Sequence, residues 1–367
     1  MKGKKLPGIQ ALRGVAVLLV LMRHLLVMED HFGGGEMLLP EICKAGDAGV
    51  DLFFVISGFI MVVVSRGRFQ TPGSSAAFLY NRATRIYPLY WFYSIVILIV
   101  ALLAPVLVPA MKKGQVDLFS SFLLLPHFLP PLLGQGWTLT HEIYFYLLFS
   151  ITLLLPERRL SWFLLLWGLA VAVGYNFYSV TPMLSGSATI KMITNPTTVE
   201  FVLGGCVALA IQRGFRRAAL PCLIGGALLL PASSLFFDPL QVEGLRFFCF
   251  GLPSLLILYG AASLEGRSPF SFSSWLQSIG DASFSIYLTH ILVITAVGRI
   301  WMTVRRPGLW DNALALALMA AFAVACGFAS YRWIEQPLLR ATRFRRFHHV
   351  STTPATSAMT VSKQDAC

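Results

Sequence analysis

Residues 9–28 read IQALRGVAVLLVLMRHLLVM, an apolar run of the length that a helix needs to cross about 30 Å of hydrocarbon. Similar runs recur along the chain, and the candidate spans are 9–28, 49–65, 87–109, 137–156, 160–179, 197–212, 217–236, 246–264, 280–301 and 310–335. The runs lack the strict alternation of membrane barrel strands, and a helix satisfies its own backbone polar groups in lipid. The sequence therefore predicts an all-α integral membrane protein, a polytopic bundle of about ten transmembrane helices.

The composition excludes an ordinary soluble domain. Of the 367 residues, 56% are hydrophobic and 13% are charged, against roughly 45–50% and about 25% in soluble proteins. The net charge of +12 fits basic loops beside a membrane surface, so we expect membrane lipid and no nucleic acid as a partner. The six cysteines are scattered without a CxxC pair, so we expect neither a disulfide framework nor a metal site.

The distribution of basic residues predicts the topology. With ten spans and both termini in the cytoplasm, most of the 29 Lys and Arg residues fall on the cytoplasmic side. Segment 118–133 is short and ends in prolines, which favours a re-entrant or interfacial segment over an eleventh span. We expect a transmembrane domain over 1–340 and a disordered cytoplasmic tail over 341–367.

Two ionisable residues of the first span, Arg13 and His24, are eleven residues apart. This spacing places them on the same face of a helix, about 16 Å apart along its axis. An ionisable group within a span costs about 2.5–3.5 kcal/mol on insertion scales, so such groups usually face an interior cavity. A functional role is the favoured interpretation for His24, whereas Arg13 could equally extend its guanidinium to the lipid headgroups.

Two carboxylates lie near the outer ends of their predicted spans. Asp51 occurs in GVDLFFVISGF and Glu142 in WTLTHEIYFY. Both could converge with His24 on one outer-facing pocket, together with Glu200 and Arg246, although Asp51 could equally be an interfacial helix cap.

Further signals come from glycine, basic and histidine residues. Gly49 and Gly58 predict close helix packing.

Arg82 and Arg85 are three residues apart and would suit a phosphate group, although the positive-inside bias alone also explains basic residues there. His290, in GDASFSIYLTH, is a second histidine candidate without a partner in the sequence.

Over nearly its whole length the sequence resembles the acyltransferase family 3 membrane proteins, particularly the exopolysaccharide acetyltransferase-like branch found in bacteria. The matching pieces, in order, are LRGVAVLLVLMRH, GVDLFFVISGF, RATRIYPLYW, WTLTHEIYFY, SFSIYLTH and RWIEQPL. The resemblance implies a multi-pass enzyme of the bacterial cytoplasmic membrane. Such an enzyme takes an acyl group, usually acetyl, from cytoplasmic acyl-CoA to a carbohydrate hydroxyl at the outer face.

The resemblance also implies roles for individual residues. Arg82 and Arg85, with Arg13, would hold the phosphates of acetyl-CoA or another acyl-CoA donor. His24 would act as general base on the acceptor hydroxyl or as a transient acyl carrier, and Asp51 and Glu142 would assist it. No metal is implied. The acceptor would be a surface polysaccharide, its lipid-linked precursor or another glycolipid, and polysaccharide-assembly proteins would be potential partners.

Two other functions are alternatives to acyl transfer. A proton-coupled transporter or flippase of sugar-containing substrates would also need ionisable groups within the spans, but we find no inverted repeat in the sequence. A membrane scaffold for polysaccharide assembly would leave His24 and Glu142 without a role.

Overall fold

All regular structure in the computed structural model is helical within the residues that it describes, which are 6–33, 37–180, 186–236, 243–265, 272–306 and 308–342. The ten longest helices are α1 (Pro7–Phe32), α2 (Ala48–Ser65), α3 (Ser74–Leu103), α4 (Gly136–Thr152), α5 (Leu160–Val180), α6 (Thr197–Gln212), α7 (Ala219–Phe236), α8 (Leu252–Leu264), α9 (Ser283–Val304) and α10 (Leu309–Ser330). The expected tail lies outside the described residues from 343 onwards.

Shorter elements lie between these helices and after the last of them. The α-helical ones are Pro109–Lys112, Leu118–Leu123, Ala188–Ile193, Glu243–Arg246, Ser274–Asp281 and Gln336–Ala341. The 3₁₀ segments are Glu41–Asp47, Pro105–Leu107 and Glu157–Arg159, and the π-helical turns are Phe247–Gly251 and Tyr331–Glu335.

The ten helices correspond one by one to the ten predicted spans. By length and composition, eight helical stretches of the described chain can cross a membrane, and α7 adds a shorter apolar helix. Helix α4, with 17 residues, is also short. The predicted fold class is confirmed: the chain forms a polytopic membrane bundle.

Helix α3 begins well before the predicted span 87–109. Arg82 and Arg85 therefore lie inside a helix of 30 residues rather than in the loop before it. The apolar run marks only the part of a helix that lipid covers. Here the helix continues into polar sequence, where Phe78 packs against Phe149 with ring centroids 5.5 Å apart. At about 45 Å, α3 is longer than the hydrocarbon core is thick.

The segment 118–133 does not span the bundle, as the sequence predicts. Its six-residue helix ends at Leu123, and the next residue, Leu124, adopts a left-handed conformation with φ 55°. Three side chains of α3 donate hydrogen bonds to its carbonyl groups: Tyr87 to Leu123 at 3.1 Å, Tyr90 to Ser121 at 2.7 Å and Trp91 to Phe122 at 2.8 Å. These bonds fold the segment back against the middle of α3.

Reciprocal glycines bring α2 and α6 into close contact. A Cβ atom added to Gly58 would overlap the carbonyl oxygen of Phe201, and one added to Gly204 would overlap the carbonyl oxygen of Val55. Gly49 faces the backbone of α1 in the same way. The predicted packing roles of Gly49 and Gly58 are confirmed.

Gly58→Ala should destabilise the protein, because the added methyl group meets a backbone carbonyl that cannot move aside cheaply. We expect a loss of about 1–3 kcal/mol in the free energy of unfolding, measured as a lower thermal midpoint in detergent. Gly225→Ala in α7 is the matched control, because nothing lies within 4 Å of its added Cβ. Equal midpoints for the two variants would contradict the close contact.

Candidate functional site

A cavity of about 770 Å³, including the space through which it opens, lies between α1, α2, α3, α4 and α9. Its polar lining residues are Arg13, Ser57, Arg82, Arg85, Thr138, Glu142, Tyr146, Ser283 and Tyr287. The remaining lining residues are aliphatic or aromatic. The cavity thus combines an apolar wall with a small set of polar groups, as ligand sites usually do.

Three arginines line one part of this cavity. Arg13 donates a hydrogen bond from Nη2 to the Ser283 hydroxyl at 2.9 Å. The Arg82 guanidinium lies 5.7 Å from the centroid of the Tyr146 ring, and its Nε is buried without a hydrogen-bond partner. Arg85 makes no hydrogen bond to any described residue. Several guanidinium N–H groups are therefore free to bind an anionic ligand.

Two carboxylates partly balance these cations. Glu142 accepts a short hydrogen bond from the Tyr146 hydroxyl and a weaker one, at 3.5 Å, from Ser57. Glu335 lies in a π-helical turn, accepts a hydrogen bond from Ser285 at 2.5 Å, and is within electrostatic reach of Arg13 and Arg85. With three cations and two carboxylates, the site keeps an excess positive charge.

His24 pairs with His290. Their ring centroids are 4.8 Å apart with an interplanar angle of 78°, an edge-to-face arrangement. Nδ1 of His24 lies 2.8 Å from the Val20 carbonyl, and Nδ1 of His290 lies 2.7 Å from the Tyr287 carbonyl. A carbonyl can only accept, so we assign the proton to Nδ1 in both rings, and Nε2 carries the lone pair of the neutral imidazole. Nε2 of His290 is buried without a hydrogen-bond partner.

Tyr287 lies between the cavity and the histidine pair. It lines the cavity, its ring centroid lies 5.8 Å from that of His290, and its hydroxyl lies 2.7 Å from the Thr138 hydroxyl. Helices α1 and α9 run in parallel, because Arg13 meets Ser283 at one level and His24 meets His290 further along. Polar groups therefore follow one another from the arginines to the histidines.

Asp51 occupies a different place. It is fully buried and forms an ion pair with Arg246, with Oδ2 2.6 Å from Nη2. The Glu200 carboxyl lies beside it, and its Oε2 has no hydrogen-bond partner among the described residues. The structure does not gather His24, Asp51 and Glu142 into one pocket. The sequence gives the depth of a residue in a span, whereas its direction around the helix depends on packing.

The structure brings Arg13, Arg82, Arg85 and Glu142 together in the cavity. Ser57, Tyr146 and Glu335 also belong to the site or adjoin it, but they were not among the predicted site residues. Tyr146 follows Glu142 by four residues, a helical spacing that could have revealed it, and Glu335 lies in the matching piece RWIEQPL. In the part of the chain that the structure describes, no group of three or more His, Cys, Asp or Glu could hold a metal ion.

Comparisons with known proteins identify the family of this chain. A family model described as an acyltransferase domain matches residues 6–332. The chain is 34% identical to "Exopolysaccharide production protein ExoZ" of Rhizobium meliloti, over 82% of this chain and 92% of that protein. It is 28% identical to "Acyltransferase MdmB" of Streptomyces mycarofaciens, over 96% of both chains.

A third relative is "Peptidoglycan O-acetyltransferase OatA" of Listeria monocytogenes, which is 26% identical over 91% of this chain and 56% of that protein. No solved structure matches the chain. The family match covers most of the sequence and includes all ten long helices. The chain therefore belongs to the acyltransferase family 3 membrane proteins.

Proposed function

We propose that this protein moves an acyl group, in the first instance acetyl, from cytoplasmic acyl-CoA to a hydroxyl of a bacterial surface polysaccharide or of its lipid-linked precursor. The observation that carries the proposal is the run of polar groups from three arginines, through the cavity, to the His24–His290 pair. In this proposal the protein resides in the cytoplasmic membrane with both termini in the cytoplasm, as the positive-inside bias favours.

The arginine part of the cavity suits the donor. Coenzyme A carries phosphate groups, and guanidinium groups bind phosphate by paired, charge-assisted hydrogen bonds. The excess positive charge and the unpartnered Nε of Arg82 support this assignment. Arg82 and Arg85 lie in the first half of the long helix α3, on the side where α1 begins. The apolar walls of the cavity can then hold the acyl chain and the thioester.

The His24–His290 pair, which lies beyond Tyr287 from the cavity, suits the acceptor. Nε2 of His24 takes the proton from the acceptor hydroxyl as its oxygen attacks the thioester carbonyl. The new C–O bond forms, the C–S bond breaks, and the coenzyme A thiolate leaves and is later protonated. The Thr138 hydroxyl donates to the Gln135 carbonyl, so the Tyr287 hydroxyl is the donor in their pair. In the proposed step, Tyr287 turns this proton to the oxyanion that develops on the carbonyl. In an alternative sequence of steps, the same nitrogen would carry the acyl group transiently.

The relatives support a carbohydrate acceptor. The name of ExoZ refers to exopolysaccharide production, and OatA is named as a peptidoglycan O-acetyltransferase. Both names fit transfer to hydroxyl groups of glycans outside the cytoplasm. The thioester donor supplies an activated acyl group, so the transfer needs neither ATP nor a metal ion.

Replacing His24 should abolish O-acylation while leaving the protein in the membrane. In a deletion strain at matched membrane abundance, His24→Ala should lower the O-acetyl content of surface polysaccharide, measured by proton NMR, by about 100-fold or more, because a general base contributes about 10²–10⁴ in rate. His31→Ala, an exposed histidine of the same helix, is the control and should restore acetylation. Restoration by His24→Ala would refute the role of His24, and failure of the intact protein to restore acetylation would refute the proposed function.

Replacing Arg82 should weaken the binding of the acyl-CoA donor and of no other substrate. A lost hydrogen bond to a charged group costs about 1.5–3 kcal/mol, so Arg82→Ala should raise the KM for acetyl-CoA by about 10- to 150-fold. The KM for acetyl-pantetheine, which lacks the phosphates, should not change. Arg68→Ala, an exposed arginine before α3, serves as the control. An equal rise in KM for both donors would show that Arg82 does not bind phosphate.

A further inference from the structure

A second cavity, of about 900 Å³ including the space through which it opens, lies on the other side of α4 from the arginines. It is bounded by the re-entrant segment, the first turns of α4 and the short helix Ala188–Ile193 with the residues that follow it. The lining residues are Leu125, Pro126, His127, Phe128, Leu129, Pro130, Pro131, Trp137, Thr140, His141, Ala188, Lys191, Met192 and Asn195. None of these lining residues is acidic, and nothing in the mechanism above uses this space.

Two histidines of this cavity have buried nitrogens without partners. His141 is only 8% exposed, and its Nδ1 makes no hydrogen bond to any described residue. Nδ1 of His127 is buried and unpartnered as well. An unpaired polar group costs free energy when it is buried, and each such group in a folded protein needs an explanation. Both side chains line the same cavity, so a small rotation of either ring would bring its unpaired nitrogen to a ligand with hydroxyl groups.

An aromatic ring lies next to these nitrogens. Trp137 is 42% exposed although it lines the cavity, and its ring lies 6.0 Å from that of His141 at an interplanar angle of 88°. An indole face carries negative partial charge and attracts the weakly positive C–H groups of a sugar ring. A position at the membrane interface would also explain the exposure of Trp137. That explanation gives no hydrogen-bond partner to Nδ1 of His127 or of His141.

Asn195 adds hydrogen-bonding capacity in a fixed orientation. Its Oδ1 accepts hydrogen bonds from the Thr197 backbone N–H at 2.9 Å and from the Thr197 hydroxyl at 2.8 Å. The orientation of the amide is therefore fixed, and its Nδ2 is left to donate. Lys191 is exposed at the same cavity. An alkyl chain would leave these groups unsatisfied, whereas sugar hydroxyls both donate and accept hydrogen bonds.

We propose that this second cavity is a carbohydrate-binding site that holds one sugar of the acceptor glycan against Trp137, with sugar hydroxyls bonded to His127, His141 and Asn195. The inference rests on the proposed function for the identity of the glycan. Helix α4 connects the two sites, because Trp137 and His141 face this cavity while Thr138 and Glu142 face the first. A helix with its side chains is about 10–12 Å across, so a glycan of a few sugars could reach from one site towards the other.

The test uses the intact protein in lipid nanodiscs. The acceptor probe is the host's own surface polysaccharide after mild alkaline removal of its O-acyl groups and partial hydrolysis to oligosaccharides. Trp137→Ala and His141→Gln should each raise the KM for these oligosaccharides by about tenfold and leave the KM for acetyl-CoA unchanged. Trp137→Phe, which keeps an aromatic face, should stay close to the intact protein. Trp162→Ala in α5 is the control, because Trp162 is 67% exposed and does not line the cavity.

Saturation-transfer NMR of the same oligosaccharides without donor separates this proposal from the proposed function. Binding that weakens in Trp137→Ala and not in Trp162→Ala supports the site, even if the protein transfers no acyl group. Transfer with an unchanged KM for the oligosaccharides in both Trp137→Ala and His141→Gln overturns the site and leaves the acyltransferase function standing.

Discussion

The cost of placing charge in a membrane is the constraint on which the rest of this structure depends. Arg13, Arg82 and Arg85 lie on helices that are otherwise strongly apolar, and lipid cannot solvate their guanidinium groups. In this structure they turn inwards, where Glu142 and Glu335 provide part of the opposing charge. The cavity is thus a consequence of solvating these groups, and its excess positive charge creates a demand for an anionic ligand.

Close helix packing gives this cavity a defined shape. The contact of α2 with α6 through Gly58 and Gly204 fixes the helix that carries Ser57. The hydrogen bonds from α3 to the re-entrant segment fix the chain that leads into α4. Helix α4 carries both Glu142 and His141. Its position therefore determines where Glu142 lies in the first cavity and where the unpaired imidazole of His141 lies in the second.

The helical class, the positions of the ten long helices and the failure of 118–133 to span followed from hydrophobic run length and proline positions alone. The clustering of Arg13 with Arg82 and Arg85 agrees with the resemblance to the family. The pairing of His24 with His290 could not be predicted, because the two residues lie at opposite ends of the chain and only tertiary packing brings them together. The same reason explains why the ion pair of Asp51 with Arg246 was not predicted. The sequence predicts the depth of Asp51 in its span, but its pairing with Arg246 depends on how α2 faces the turn before α8.

In the proposed function, the acyl group crosses the membrane between a donor on the arginine side and an acceptor on the histidine side. The most direct measurement uses proteoliposomes of one orientation, with labelled acetyl-CoA only on the side where α1 begins and de-acylated oligosaccharide only on the opposite side. The account predicts labelled oligosaccharide in this arrangement and none when the two substrates exchange sides. Label that appears only when both substrates share one side would contradict it.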